Sequence, residues 1–338
     1  LKRRDFITSA MCFGLMSTRN AEARERVVIM PNTELALRND LYARMARNGR
    51  YSAARVAYRI NRLGGARTVL VYVSPDVSSA KLVVFSHGAL ATPDVYAPLL
   101  EFLTTHGYCV IAPLHDDGLL DDLREVSGSS EWKFPEKMTD MHVWERRMHD
   151  CMDVLEAAKA MSETMGVEID ATNPMFMGHS FGALTGLLLS GATVEGPEGT
   201  IKGISSNWAG RILLSPPGNG VFGLNATSWE TLAGPSLTVT NPDDQGVIGQ
   251  SPEAKLDSFY LPPEGYRHLA YLQGGGPSIY SGQAARPKTK EYYIFFDLRG
   301  AIGAFVSAYA DRNEEAFNGL YDGTLEHGSY KLAAIRSR

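Results

Sequence analysis

Cysteine is scarce in this chain: three in 338 residues, with no Cys/His spacing of the kind that holds zinc or runs redox exchange. Cys12 lies near the N-terminus, Cys109 in an apolar run and Cys151 in a helical stretch. The last two read as buried thiols, or as a disulfide that a domain of this size does not need. Excess charge of one sign is missing too. Lys and Arg number 33 against 38 Asp and Glu, a net −5, and no basic block gathers positive charge for nucleic acid. No apolar run approaches the ~20 residues that span a bilayer, so no stable membrane anchor is expected. No Pro/Ser/Gly tract, charge run or repeat divides the chain. Length alone suggests about two units of ~150 residues, but without a linker a single domain over residues 24–338, carrying insertions, is the simpler organisation.

What is present begins with an address. Lys2-Arg3-Arg4-Asp5-Phe6-Ile7 leads into a short apolar run to Met16, then Ala21-Glu22-Ala23. A charged start, a brief apolar middle and small residues before a cleavage point are the parts of an export signal, here residues 1–23. The paired arginines before Phe6 resemble the twin-arginine version, which implies a bacterial protein of the periplasm or the exterior. The bland alternative is a basic N-terminal arm.

The remainder alternates strand and helix patterns. Residues 36–48 have helical spacing. Arg55–Ile60 and Thr68–Val73 read as a hairpin across Gly64-Gly65. Lys81–Ser86 and Tyr108–Pro113 are continuous apolar strands, covered on both faces, with a helix near 96–105 between them. The stretch 116–140 has no period and reads as a surface excursion; its Trp132 and Phe134 suit an apolar substrate wall or ordinary packing. An amphipathic helix covers 143–163, Asn173-Pro174 breaks the chain ahead of the strand Met175-Phe176-Met177, and a helix of small residues follows Ser180. Buried strands are expected at Arg211–Leu214, Ser236–Thr240 and His268–Leu272, and a final helix at about 300–317. Such alternation predicts an α/β fold: a mainly parallel sheet flanked by helices on both faces. Ligands then bind outside the carboxyl ends of its strands.

Gly178-His179-Ser180-Phe181-Gly182 stands at one such end. In a G-x-S-x-G turn the glycines permit a sharp strand-to-helix reversal, and the strained serine projects its hydroxyl into the cleft. Ser180 is therefore the candidate nucleophile. The oxyanion of a tetrahedral intermediate needs backbone donors, expected from Phe181 and from the loop after an earlier strand. Phe85-Ser86-His87-Gly88-Ala89 fits that loop, with Ala89 as the donor, although His87-Gly88 also reads as a plain strand-ending turn. His179 adjoins Ser180 in sequence, but an elbow points neighbouring side chains apart, so a structural role is expected.

VVFSHG at 83–88, GYCVIAPLH at 107–115 and GHSFGA at 178–183 resemble the dienelactone hydrolase-like branch of α/β-hydrolases, which is similar to the platelet-activating-factor acetylhydrolases. So do Trp144-Glu145-Arg146-Arg147 with Asp150, and Leu214-Ser215-Pro216-Pro217-Gly218. The resemblance implies an α/β-hydrolase fold and hydrolysis of a small or lipid-like carboxylic ester through an acyl-serine, with neither metal nor organic cofactor. It also implies a triad in the order Ser, Asp, His. Asp243, in Thr240-Asn241-Pro242-Asp243-Asp244, takes the place of the acid, with Asp244 as the alternative; both also suit a simple turn.

The base does not carry over. Where the family places its histidine after the last core strand, this chain has Gly274-Gly275-Gly276-Pro277, and proline moves no proton. Only His268 and His327 follow Asp243. His268 lies nine positions before Pro277 (277 − 268), about 30 Å of extended chain, toward the wrong end of the sheet. Nothing in the sequence positions His327, and His115 ends a strand but is out of order. Retention of Ser180, the elbow, the His-Gly turn and Asp243 favours an esterase with a relocated base. Loss of the histidine favours a non-catalytic relative that binds a ligand or partner. A weaker reading is an ester-binding surface protein that uses the excursion.

Overall fold

The computed structural model describes residues 25–26, 39–62, 65–118, 138–205, 207–246 and 249–338. The proposed export signal and most of the 116–140 excursion, Trp132 and Phe134 included, lie outside them. The described strands are β1 (Glu25–Arg26), β2 (Ala54–Arg62), β3 (Gly65–Val73), β4 (Ser79–Ser86), β5 (Cys109–Pro113), β6 (Glu168–His179), β7 (Thr193–Gly196), β8 (Gly199–Lys202), β9 (Gly210–Leu214), β10 (Ser236–Thr240), β11 (Arg267–Leu272) and β12 (Leu332–Ser337). The described α-helices are α1 (Leu41–Ala46), α2 (Ala97–Thr105), α3 (Met141–Met165), α4 (Phe181–Leu188), α5 (Asp257–Tyr260), α6 (Lys290–Ala310), α7 (Glu314–Tyr321) and α8 (Thr324–Gly328).

Ten strands form one sheet in the order β1-β2-β3-β5-β4-β6-β9-β10-β11-β12, and β7-β8 is a separate hairpin. Each neighbouring pair from β5 to β11 is parallel. The pairs at the flanks, β1-β2, β2-β3, β3-β5 and β11-β12, are antiparallel. The protein is thus an α/β fold with a large, mostly parallel sheet. Because side chains alternate across a strand, β4 feeds both cores. Val83 and Phe85 join the cluster with α1, α2 and α6, while Leu82 and Val84 join the cluster with α3 and α4. Each such buried side chain stabilises the fold by about 1.5–3 kcal/mol.

The connection from β4 through α2 leads to β5 on one side, and α3 then carries the chain back to β6 on the other. The sheet order reverses at β4, so the carboxyl ends of β4 and β6 flank a switch-point crevice of the kind where open α/β sheets bind ligands.

Helix α3 has clear ends. Its N-cap Asp140 accepts from the His142 N–H at 2.8 Å, and Gly166 closes it at φ 67° with its N–H on the Ser162 carbonyl. Two expectations on local structure are corrected. Asn173-Pro174 does not break the chain but sits inside β6, opposite an irregularity in its pairing with β4 between Lys81 and Val83. A strand tolerates proline where the ladder is already interrupted. The helix expected at about 300–317 is instead the long buried α6, a turn at Asp311–Asn313, and α7. Asn313 caps the start of α7 by accepting the Ala316 N–H, which ends the periodicity of α6 and restarts it on a new axis. Cys109 and Cys151 are both buried and free.

Candidate active site

Strand β6 runs straight into the Ser180 turn. Ser180 has φ 53° and ψ −112°, a conformation that costs a non-glycine residue roughly 1–3 kcal/mol. Its N–H donates to the Leu214 carbonyl at 2.8 Å, and its own carbonyl accepts from Ala183 at 2.8 Å. Both flanking glycines are sterically required. A Cβ on Gly178 would lie 2.2 Å from the Gly182 carbonyl oxygen, and one on Gly182 would lie 2.0 Å from that of Ser86. The elbow is therefore locked against the end of β4. The half-buried Ser180 hydroxyl makes no hydrogen bond among the described residues.

The two expected oxyanion donors lie on either side of the crevice. Phe181 is the first residue of α4, so its N–H has no partner within the helix. Ala89 follows the His87-Gly88 turn, and α4 abuts that turn through Gly182. Gly88 is closely packed too: a Cβ there would meet the Tyr96 hydroxyl at 3.0 Å and His179 Nδ1 at 3.1 Å, and those side chains would have to give way.

No imidazole among the described residues is hydrogen-bonded to Ser180. His115 belongs to a different array: its Nδ1 meets Asp150 Oδ2 at 2.7 Å and its Nε2 meets Ser86 Oγ at 2.9 Å. This is a Ser–His–Asp relay, but Ser86 and His115 are 0% exposed and Asp150 is 1% exposed, so no substrate reaches it. Burial, and then the Arg147 charge, hold the His115 pKa well below the usual imidazole value. His268 is bound by Ser337 and Tyr309, and pairs with Leu237 near the start of β10, far from the carboxyl ends. His327 lies in the short α8 with its ring against Gly323. None of the three is placed as a base for Ser180.

The imidazole next to Ser180 in the chain is His179. Its Nδ1 lies 2.7 Å from the Tyr96 hydroxyl, its ring packs against Tyr280 at 5.0 Å, and its buried Nε2 has no partner. Burial first, and the Lys255 charge second, push its pKa down to about 3. Lys255 is itself 4% exposed, and burial lowers its pKa against the raising influence of Asp244.

The two acids divide sharply. Asp243 is exposed, and its carboxylate borders the triglycine loop: a Cβ on Gly274 would lie 2.7 Å from Asp243 Oδ2 and 3.1 Å from Lys290 Nζ. Gly274, Gly275 and Gly276 have φ of 108°, 104° and 58°, and Pro277 then starts a 3-10 turn through Ser281. Asp244 is fully buried and accepts from Ser215 at 2.8 Å, Tyr280 at 2.7 Å and Thr240 at 3.0 Å. Its oxygens are committed to hydroxyls that tie β9, β10 and the 3-10 turn together. Only Asp243 lies free beside the loop where an imidazole would be held.

Sequence reasoning missed Tyr96, Tyr280 and Lys255, because the contacts of their polar ends are set by tertiary packing. It quoted Arg147 and Asp150 only as part of a family-like segment, and passed over Asp117. The i, i+3 spacing of Arg147 and Asp150, which puts both on one face of α3, was the available signal.

Among the described residues no group of three or more His, Cys, Asp or Glu side chains could hold a metal ion, and no helix is long and apolar enough to cross a membrane. No protein-family model matches the chain, and no curated protein does so either.

Proposed function

We propose that this chain is an α/β-hydrolase-fold serine hydrolase that opens small or lipid-like carboxylic esters through an acyl-Ser180 intermediate. One observation carries the reading. Ser180 is held in a strained backbone conformation between a strand and a helix, by two glycines that each touch backbone where no Cβ fits. A fold gains no stability from such strain, and strain of this kind clusters at functional sites. The position at the switch-point crevice, between two candidate oxyanion donors, agrees with it. The leader at 1–23 suggests action in the periplasm or outside the cell.

Turnover is slow on this reading. With Pro277 at the base position, catalysis rests on substrate binding and oxyanion stabilisation, which alone give roughly 10³–10⁴-fold over water. A second reading, a non-catalytic relative that binds a ligand or partner, is favoured by the same missing imidazole. Incubation with a fluorophosphonate and with p-nitrophenyl acetate and butyrate, beside Ser180→Ala, separates them. Labelling confined to Ser180 and ester cleavage above the Ser180→Ala level are expected. Equal rates and no label would leave only the binding reading.

A further inference from the structure

We infer that Arg147, clamped by Asp117, is a positioning residue that holds both halves of the oxyanion hole in register. The inference rests on the reading of Ser180 as nucleophile and goes further, because it says what fixes the donors.

Arg147 is 1% exposed and Asp117 3% exposed. Their pairing is bidentate: Nε donates to Oδ1 at 2.9 Å and Nη2 to Oδ2 at 2.7 Å. A fork of this kind fixes the plane of the guanidinium. The edge that remains points at the His-Gly turn. Nη1 donates to the His87 carbonyl at 2.7 Å and to Ser86 Oγ at 3.3 Å, and Nη2 reaches the Gly88 carbonyl at 3.4 Å.

In a trans peptide the C=O and the following N–H point in opposite directions. Drawing the His87 carbonyl toward Arg147 therefore turns the Gly88 N–H away, and it donates to the Tyr96 hydroxyl at 3.2 Å. The Gly88 carbonyl, held by Arg147 and by His87 Nδ1 at 2.8 Å, turns the Ala89 N–H away from Arg147 in the same manner. That is the donor expected on the crevice side. The same guanidinium lies 4.5 Å from the centroid of the Phe181 ring, the residue that carries the second donor. One planar group thus touches the peptide behind one donor and the side chain of the other.

The buried relay holds the turn from below. Asp150 accepts from His115 Nδ1, which leaves Nε2 to accept the Ser86 hydroxyl proton, while Ser86 Oγ accepts from Arg147. His87 Nε2 accepts the His115 backbone N–H at 3.1 Å, which fixes the His87 proton on Nδ1, where it meets the Gly88 carbonyl. Every polar group of residues 86–88 named here has a partner that keeps the carbonyls on the Arg147 side.

The test measures the inactivation of Ser180 by a fluorophosphonate, resolved into the half-saturating concentration and the limiting rate. The limiting rate needs the oxyanion hole but no recycled triad. Arg147→Lys keeps the charge and loses the fork, and Asp117→Asn frees the guanidinium without removing it. Both are expected to lower the limiting rate about ten- to a hundredfold, less than the 10²–10³ for a lost donor, with the half-saturating concentration unchanged. A merely structural role would move the melting temperature and leave the limiting rate of the folded fraction alone. Wild-type labelling with unchanged rates in whichever variants fold would overturn the inference and leave the nucleophile reading intact. No labelling of wild type above Ser180→Ala would remove the nucleophile reading, and the inference with it.

Discussion

The Tyr96 hydroxyl and His179 Nδ1 lie 2.7 Å apart, and that contact anchors the ring beside Ser180. Tyr96 also accepts the Gly88 N–H, so one hydroxyl ties the ring of His179 to the His-Gly turn. Burial first, and the Lys255 charge second, disfavour a charged ring there. His179 is a neutral spacer between Tyr96 and Tyr280.

Acid stability follows from this and four similar groups. His179 is pushed down to about 3 and His268 to about 4, His87 and His115 lie well below the ordinary value, and His106 is lowered as well, all chiefly by burial. Each takes up its proton on unfolding below about pH 6.5. Stability from these groups is therefore full above that pH and falls as pH drops toward the folded values. Glu101, raised to about 7, and Asp297, raised to about 6, both by burial, act in the opposite direction between about pH 4 and 7. Five histidines against two carboxyls leave a net proton uptake on unfolding at pH 5, so stability falls with pH there, by about 1.4 kcal/mol per pH unit for each net proton. Urea unfolding at pH 7, 6 and 5 should show this slope, and a flat profile would contradict the neutral histidines.

The strain at Ser180 makes a stability prediction independent of activity. Ser180→Gly relieves a φ of 53° that Ser180→Ala retains. Both remove the hydroxyl, yet Ser180→Gly should be the more stable by about 1–2 kcal/mol. Gly182→Ala should cost at least the 1–3 kcal/mol of ordinary overpacking, because the atom it strikes, at 2.0 Å, is a backbone oxygen of β4. Equal stability of the two Ser180 variants by urea unfolding would count against a strained elbow.

Much of this arrangement was legible in the sequence. The apolar runs of β4, β5, β9, β10 and β11, and the glycines around Ser180, announce themselves by local pattern, because strand burial and steep turns are local requirements. Boundaries that depend on tertiary context were less clear. Pro174 reads as a breaker until β4 is seen to slip register beside it. The choice between Asp243 and Asp244 is invisible in a pair of adjacent acids, since only packing decides which of them turns inward. The Ser86–His115–Asp150 relay spans three elements, and no spacing in the chain foretells it.

That division between the acids is testable. Asp244 accepts from three hydroxyls in a buried place, and hydrogen bonds to a charged group contribute about 1.5–3 kcal/mol each. Asp244→Asn should destabilise the fold by about 2–4 kcal/mol. Asp243→Asn, at an exposed position, should stay within about 0.5 kcal/mol of the parent. Chemical denaturation of both variants decides it, and the reverse order would show that the inward acid had been misassigned.

If the esterase reading holds, Pro277→His tests whether the remaining machinery is intact. Position 277 is exposed, and Asp243 borders the loop at Gly274. Proline at the first position of the 3-10 turn supplies no N–H that the turn requires, and its φ suits histidine equally. A general base positioned near Ser180 contributes typically 10²–10⁴-fold, and one introduced without matched supporting contacts should recover at least about tenfold in kcat/KM for p-nitrophenyl acetate. Adding Asp243→Asn should remove most of that gain while leaving the Pro277 parent unaffected, because the carboxylate acts only through the imidazole it orients. A gain that survives Asp243→Asn but not Asp244→Asn, in protein that remains folded, would move the acid to Asp244. No gain at all, with Ser180 still labelled by a fluorophosphonate, would mean that the triglycine loop does not carry position 277 to the nucleophile.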